Sequence, residues 1–355
     1  MRQNRELIAI VLLLLPAILL HACAPAAPAA EEPAMEEAAE PAEEEMEEPA
    51  AEEMEVEEVA EEPIEEVSPP IEVVYGEDKR FDLCSDCSFE ADQLDPALQQ
   101  MAGAVAVLVR PEALELEEDV VSINAYSLSE RIELTYGQPL CPDQRFSQQP
   151  APGFCTGFLI NDRTLVTAGH CIPDQSSCDQ TRFVFGFRSG TVKGELAPLS
   201  TENVFQCEEL LTSQVSEGSG IDFALVMLDR STDIPPIPMA LDVSLTPGDE
   251  LAVFGHPSGL PLKASIDGFV ITFEEAWAYF IASLDTFAGS SGSPVIDLDT
   301  LEVVGLVRGG EDDYIPGGDN CYAVNVCALD ASDCSGEAVM RIDVMTEMTA
   351  SSTAP

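Results

Sequence analysis

Thr167-Ala168-Gly169-His170-Cys171, with Cys155 sixteen residues before Cys171, decides how this chain folds. The segment between the cysteines, Thr156-Gly157-Phe158-Leu159-Ile160-Asn161-Asp162-Arg163-Thr164-Leu165-Val166, has the pattern of strand, polar turn and strand. A histidine then follows in a small, tight turn. A general base must be held at one angle to its nucleophile, and a disulfide joining Cys171 to Cys155 across the hairpin is one way to hold it.

Two further stretches extend the reading. In Gly220-Ile221-Asp222-Phe223-Ala224-Leu225-Val226-Met227-Leu228 an acid opens an apolar run. A carboxylate entering a buried strand is costly unless paired, and a histidine is a suitable partner. In Gly289-Ser290-Ser291-Gly292-Ser293-Pro294-Val295, glycines flank a serine. Such a turn can aim several backbone N–H groups at one spot, as an oxyanion requires. Of the three histidines, His21 lies in an N-terminal leader and His256 sits in a Pro/Gly turn without a neighbouring acid. His170 is therefore the candidate base.

The order His170, Asp222, Ser291 resembles the chymotrypsin-fold serine peptidases. Within them the chain resembles the secreted bacterial branch related to glutamyl endopeptidases. That closer likeness rests on Val74-Tyr75-Gly76-Glu77-Asp78-Lys79-Arg80, Phe183–Phe187, Gly255–Lys263, Asp285-Thr286-Phe287 and Val304–Gly309. The resemblance implies an all-β fold of two six-stranded antiparallel barrels with a short C-terminal helix. It implies Ser291 as nucleophile, His170 as base and Asp222 as its orienting acid, with the backbone N–H groups of Gly289 and Ser291 forming the oxyanion hole. No metal or cofactor is implied. Cys155–Cys171 is the expected disulfide, and Cys178–Cys207 fits by position. Asp285, Val307 and Arg308 are the candidate pocket residues. Asp285 lies six residues before Ser291, where trypsin-like enzymes carry the acid that selects lysine or arginine. Val307 replaces the histidine that accompanies cleavage after glutamate, which speaks against that preference.

The periodicity agrees with the fold class. Short β-rich runs bounded by Gly, Pro, Asp or Ser recur from Ala104–Val109 to Tyr322–Val326. Helical signal is weak except over Glu337–Met348, where Val339, Ile342, Met345 and Thr349 recur at near-helical spacing.

Residues 1–22 have the form of a lipoprotein signal peptide: Arg2 and Arg5, an apolar run from Leu7 to Leu20, then Leu20-His21-Ala22-Cys23. Cys23 is the expected lipidated residue. Without it ten cysteines remain, an even number suited to an oxidising compartment. Residues 23–72 form an Ala/Glu/Pro-rich linker with twenty glutamates, no basic residue and no aromatic. Such a run is expected to be a disordered tether. Its coil dimension is on the order of 40 Å, and its full stretch on the order of 160 Å. The peptidase domain is expected over 73–348, with a tail over 349–355.

The net charge of −51 extends beyond the linker, since residues 73–355 contain 45 acids and 13 bases. Nucleic acid is thereby disfavoured as a partner. The expectation is a monomeric, lipid-anchored or secreted serine endopeptidase of a bacterial cell envelope, acting on protein or peptide. The alternative is an idle protease-fold module serving as a surface binding protein or adhesin.

Overall fold

A computed structural model describes residues 74–83, 94–190, 195–216, 218–310, 312–318, 320–328 and 334–352. The signal peptide, Cys23, the acidic linker and Cys84–Cys87 lie outside the described residues.

Two closed antiparallel barrels make up the fold. Around the first, the strands run Ile221–Leu228, Thr164–Thr167, Gly153–Leu159, Val105–Val109, Arg182–Phe185 and Val204–Ser216, which pairs back onto Ile221–Leu228. Around the second, they run Lys263–Thr272, Glu250–Gly255, Pro294–Asp297, Glu302–Gly309, Glu337–Arg341 and Tyr279–Ser283, closed by pairing of Tyr279–Ser283 with Lys263–Thr272. Phe81–Asp82 adds a short strand outside Lys263–Ala264. This is the chymotrypsin-like double barrel expected from the motifs.

Val105–Val109 explains why strand alternation is muted in the sequence. All five residues are buried. Ala106 and Leu108 belong to the main core shared by both barrels. Val107 and Val109 pack outward against Val121, Val184, Leu199 and Val204. The hairpin of Leu114–Glu117 and Val120–Ile123, joined by Leu199–Ser200, accompanies that outer cluster. A strand covered on both faces has no polar face to show.

Val204–Ser216 presents the opposite case. Its thirteen residues are mostly exposed and polar beyond Phe205, so no apolar run announces it. Pairing to Arg182–Phe185 on one side and Ile221–Leu228 on the other defines it. The Cys178–Cys207 disulfide ties it to the short helix Gln175–Asp179.

The expected helix over Glu337–Met348 is corrected in its first half. Glu337–Arg341 is a strand paired on both sides, and the helix runs Ile342–Ser352. Val339, Ile342 and Met345 are all buried, so a strand residue and two helix residues share a spacing of three across the junction. Two other helices, Pro96–Gly103 and Leu128–Tyr136, are marked locally by their caps. Asp95 caps the first ahead of Pro96, and a Ser127/Glu130 capping box with Gly137 bounds the second.

Four disulfides occur among the described residues: Cys141–Cys321, Cys155–Cys171, Cys178–Cys207 and Cys327–Cys334. They fit an extracytoplasmic, oxidising location. Among the described residues no helix is long and apolar enough to cross a membrane.

Candidate active site

Adjacent strands of the first barrel bring His170 and Asp222 together. Thr167 ends one strand and pairs with Ala224 of the next. Continuing that antiparallel register sets Asp222 level with the turn that carries His170. The carboxylate holds the histidine at two points. Oδ1 accepts the His170 backbone N–H at 2.9 Å, and Oδ2 lies 2.6 Å from Nδ1. With the carboxylate as acceptor, the ring proton sits on Nδ1 and Nε2 is left as the basic nitrogen. Asp222 is buried, while the His170 side chain is 42% exposed. Burial keeps water from competing for the carboxylate, and exposure leaves the imidazole open to substrate.

The Cys155–Cys171 disulfide abuts this histidine. Its sulfurs and a ring nitrogen of His170 lie within 4.8 Å of one another. Because the sulfurs are bonded to each other, the trio has no free thiolate to offer a metal. Cys171 Sγ is also 3.9 Å from the carbonyl oxygen of Ser291, so the staple lies between His170 and the serine loop.

Short backbone bonds shape that loop. Ser290 N–H donates to Phe287 O at 2.7 Å, Ser293 N–H to Ser290 O at 2.8 Å, and Gly292 N–H to Val307 O at 2.7 Å. From the first barrel, Thr156 N–H donates to Ser291 O at 2.9 Å and Thr156 Oγ1 to Gly289 O at 2.8 Å. With the Gly289 and Ser291 carbonyls turned toward Thr156, neither residue's N–H has a backbone acceptor among the described residues. Two such donors beside a serine suit a developing oxyanion. Thr156, which sequence reasoning missed, is thus the residue that locks the loop to the opposite barrel. It also accepts the backbone N–H of His256 at 3.0 Å.

His256 itself is structural. It is buried, its Nδ1–H donates to Leu260 O at 2.8 Å, and its ring stacks on Phe187. Burial pushes its pKa down to about 3, so it stays neutral.

The three residues expected at the specificity pocket are dispersed. A pocket of about 300 Å³ opens beside Ser291, and Val307 lines it together with Gly309, Gly310, Asp313 and Glu337. Asp285 does not line this pocket. The chain turns sharply after Leu284 and takes Asp285 into the interior, where Oδ1 accepts the Tyr75 backbone N–H at 3.2 Å. Arg308 does not line this pocket either. Its Nε lies 4.0 Å from Asp222 Oδ2, and it lines the depression on the His170 side with Val215 and Tyr279. Alternation along the Glu302–Gly309 strand accounts for the split between Val307 and Arg308.

Two carboxyls here are raised by burial. Asp313, whose Oδ2 accepts the Ala288 N–H at 2.7 Å, is pushed up to about 6. Asp285 is pushed up to about 7 by burial, against the opposing pull of Arg80. Between pH 4 and 7 the folded chain then holds a proton at Asp285 that the unfolded chain releases. Stability from this group is full below about pH 4 and is lost as pH rises through about 7, a change on the order of 4 kcal/mol. Asp285→Asn keeps an acceptor for Tyr75 and removes the titration. Chemical denaturation from pH 4 to 8 is expected to show the variant gaining on the wild type as pH rises. Parallel profiles would contradict the assignment.

No curated protein matches the chain. Among solved structures, it is similar to a Glu endopeptidase in complex with MPD, with a TM-score of 0.43 and 16% identity over 79% of this chain and 100% of that one. It is also similar to the M. tuberculosis Rv3671c protease in an inactive form, at 0.42 and 14% over 76% and 99%. For Vibrio cholerae VesB protease the values are 0.41 and 14% over 71% and 64%. Residues 155–306, from the first half-cystine of the histidine hairpin to the strand behind Ser291, match the model of the trypsin-like peptidase domain.

Proposed function

We propose that the chain is a serine endopeptidase working through an acyl-enzyme. Ser291 Oγ attacks the carbonyl carbon of a peptide bond while His170 Nε2 takes its proton. Asp222 keeps the ring proton on Nδ1 and stabilises the imidazolium that forms. The Gly289 and Ser291 N–H groups receive the oxyanion. His170 then returns the proton to the leaving amine, and water, activated by the same nitrogen, releases the acyl group. The observation that carries this reading is the two-point hold of Asp222 on His170, at 2.9 and 2.6 Å.

The site of action in this reading is outside the cytoplasm. The Leu20–Cys23 lipobox supports a lipid on Cys23, and the acidic linker supports a domain standing off the membrane. Reaction of the full chain with a fluorophosphonate probe tests the chemistry. Labelling is expected in the wild type and absent in Ser291→Ala. A folded wild type that takes no label would favour the idle binding module instead.

A further inference from the structure

A cation stands beside the His170–Asp222 pair. Arg308 Nε lies 4.0 Å from Asp222 Oδ2, the oxygen that also takes His170 Nδ1 at 2.6 Å. At that distance the guanidinium makes no hydrogen bond to the carboxylate, so it acts on the pair through its charge. Among the described residues no other carboxylate pairs with it. The Arg308 side chain is 27% exposed and that of Asp222 5%, so water screens the contact only in part.

The backbone aims Arg308 at this point. In the ladder between Glu302–Gly309 and Glu337–Arg341, Val307 is opposite Val339 and Gly309 is opposite Ala338. Arg308 is thus the extra residue of a β-bulge, without a partner across the ladder. A bulge re-aims the side chain it carries. This one sends a guanidinium from the second barrel to a carboxylate of the first.

Few other charges act there. His170, Asp222 and Arg308 line one depression, and among its other lining residues only Tyr279 titrates. The Cys155 and Cys171 sulfurs next to His170 are bonded to each other and uncharged. Glu337 precedes Ala338, but its carboxylate lies on the Ser291 side and accepts Thr286 Oγ1 at 2.8 Å. Asp222 therefore favours an imidazolium at His170, and Arg308 opposes it as a like charge. That opposition has a use in this chain. With 45 acids against 13 bases over residues 73–355, the summed field of the domain favours a protonated histidine. A protonated Nε2 cannot take a proton from a serine.

We propose that Arg308 is a positioning residue acting through Asp222: its charge disfavours the imidazolium at rest and keeps His170 available as a base in acidic surroundings. The proposal rests on the hydrolase reading above and adds the residue that sets the acid limit of the reaction.

The rate of labelling of the full chain by an uncharged fluorophosphonate, followed from about pH 5 to 9, tests this. Such a probe brings no carboxylate for Arg308 to bind, so the readout is confined to the base. In Arg308→Gln the pH of half-maximal labelling is expected to rise by about half a unit. Labelling on the acid side slows about threefold, and the alkaline plateau stays within about twofold of wild type. Arg308→Lys keeps the charge and is expected to keep the wild-type profile. Arg308 is partly exposed, so both variants are expected to fold. An unchanged profile in Arg308→Gln would overturn the proposal, as would an equal loss at every pH, which is the mark of a structural role. A lysine variant that behaves like the glutamine one would overturn it too, because charge would not be the cause. These outcomes all leave a labelled wild type and the hydrolase reading intact. A folded wild type that takes no label at any pH would sink that reading, and the role of Arg308 with it.

Discussion

Asp222→Asn is expected to lower kcat about 10⁴-fold while leaving the fold and KM nearly unchanged. The argument follows from the two contacts Asp222 makes. One is to the His170 backbone N–H at 2.9 Å, which an asparagine carbonyl can still accept. The other is to Nδ1 at 2.6 Å, where the asparagine would present its NH₂ group. Two donors cannot face each other, so Nδ1 must become the acceptor and the ring proton must move to Nε2. In the proposed mechanism that is the nitrogen that takes the Ser291 proton, so the base is blocked while the geometry is kept. Arg308, 4.0 Å from Asp222 Oδ2, would lose its counter-charge at little cost because it is partly exposed. Steady-state kcat and KM with an ester substrate, beside thermal unfolding of the variant, would measure the effects on chemistry, binding and fold separately. A loss below tenfold in kcat would remove Asp222 from the mechanism.

Asp222 was legible in the sequence because a carboxylate opening a buried strand demands a partner. The same signal stands at Glu337, which opens Ala338-Val339-Met340, and there it was obscured by the helical spacing of Val339, Ile342 and Met345. Asp285 misled for a different reason. Its count from Ser291 was suggestive, but a count along the chain does not specify which way a turn sends a side chain. The turn after Leu284 sends it inward to Tyr75. The barrels themselves were readable from apolar runs, whereas Val204–Ser216 was not, because its strand identity comes from neighbours on both sides and not from burial. Thr156 was silent for a related reason. Nothing in a Cys-Thr-Gly triplet indicates that the hydroxyl will reach Gly289 across 133 residues of chain.

Gly292→Ala is expected to cost about 2–5 kcal/mol of stability and at least about 100-fold in kcat. Gly292 has φ of +86°, in the left-handed region that disfavours any side chain by about 1–2 kcal/mol. Space adds a second penalty. An added Cβ would overlap the carbonyl oxygen of Thr156 and come within 2.5 Å of Thr167 Oγ1 and 2.8 Å of the Ala168 nitrogen. None of these can retreat easily. Thr156 O accepts the Thr167 hydroxyl at 2.6 Å, Thr156 N–H is bonded to Ser291 O, and Ala168 starts the turn that carries His170. The seam between the barrels is thus closed on a hydrogen atom, and a methyl group there must push the serine loop away from the histidine loop. Overpacking of this kind costs about 1–3 kcal/mol. At about 2–4 °C per kcal/mol for a domain of this size, Tm is expected to fall by roughly 4–20 °C. Gly309→Ala provides the control, because a Cβ there meets nothing within 4 Å and its Tm is expected to stay within about 2 °C of wild type. Equal Tm values for the two variants, measured by calorimetry, would show that the barrels do not meet as tightly at Gly292 as these distances require.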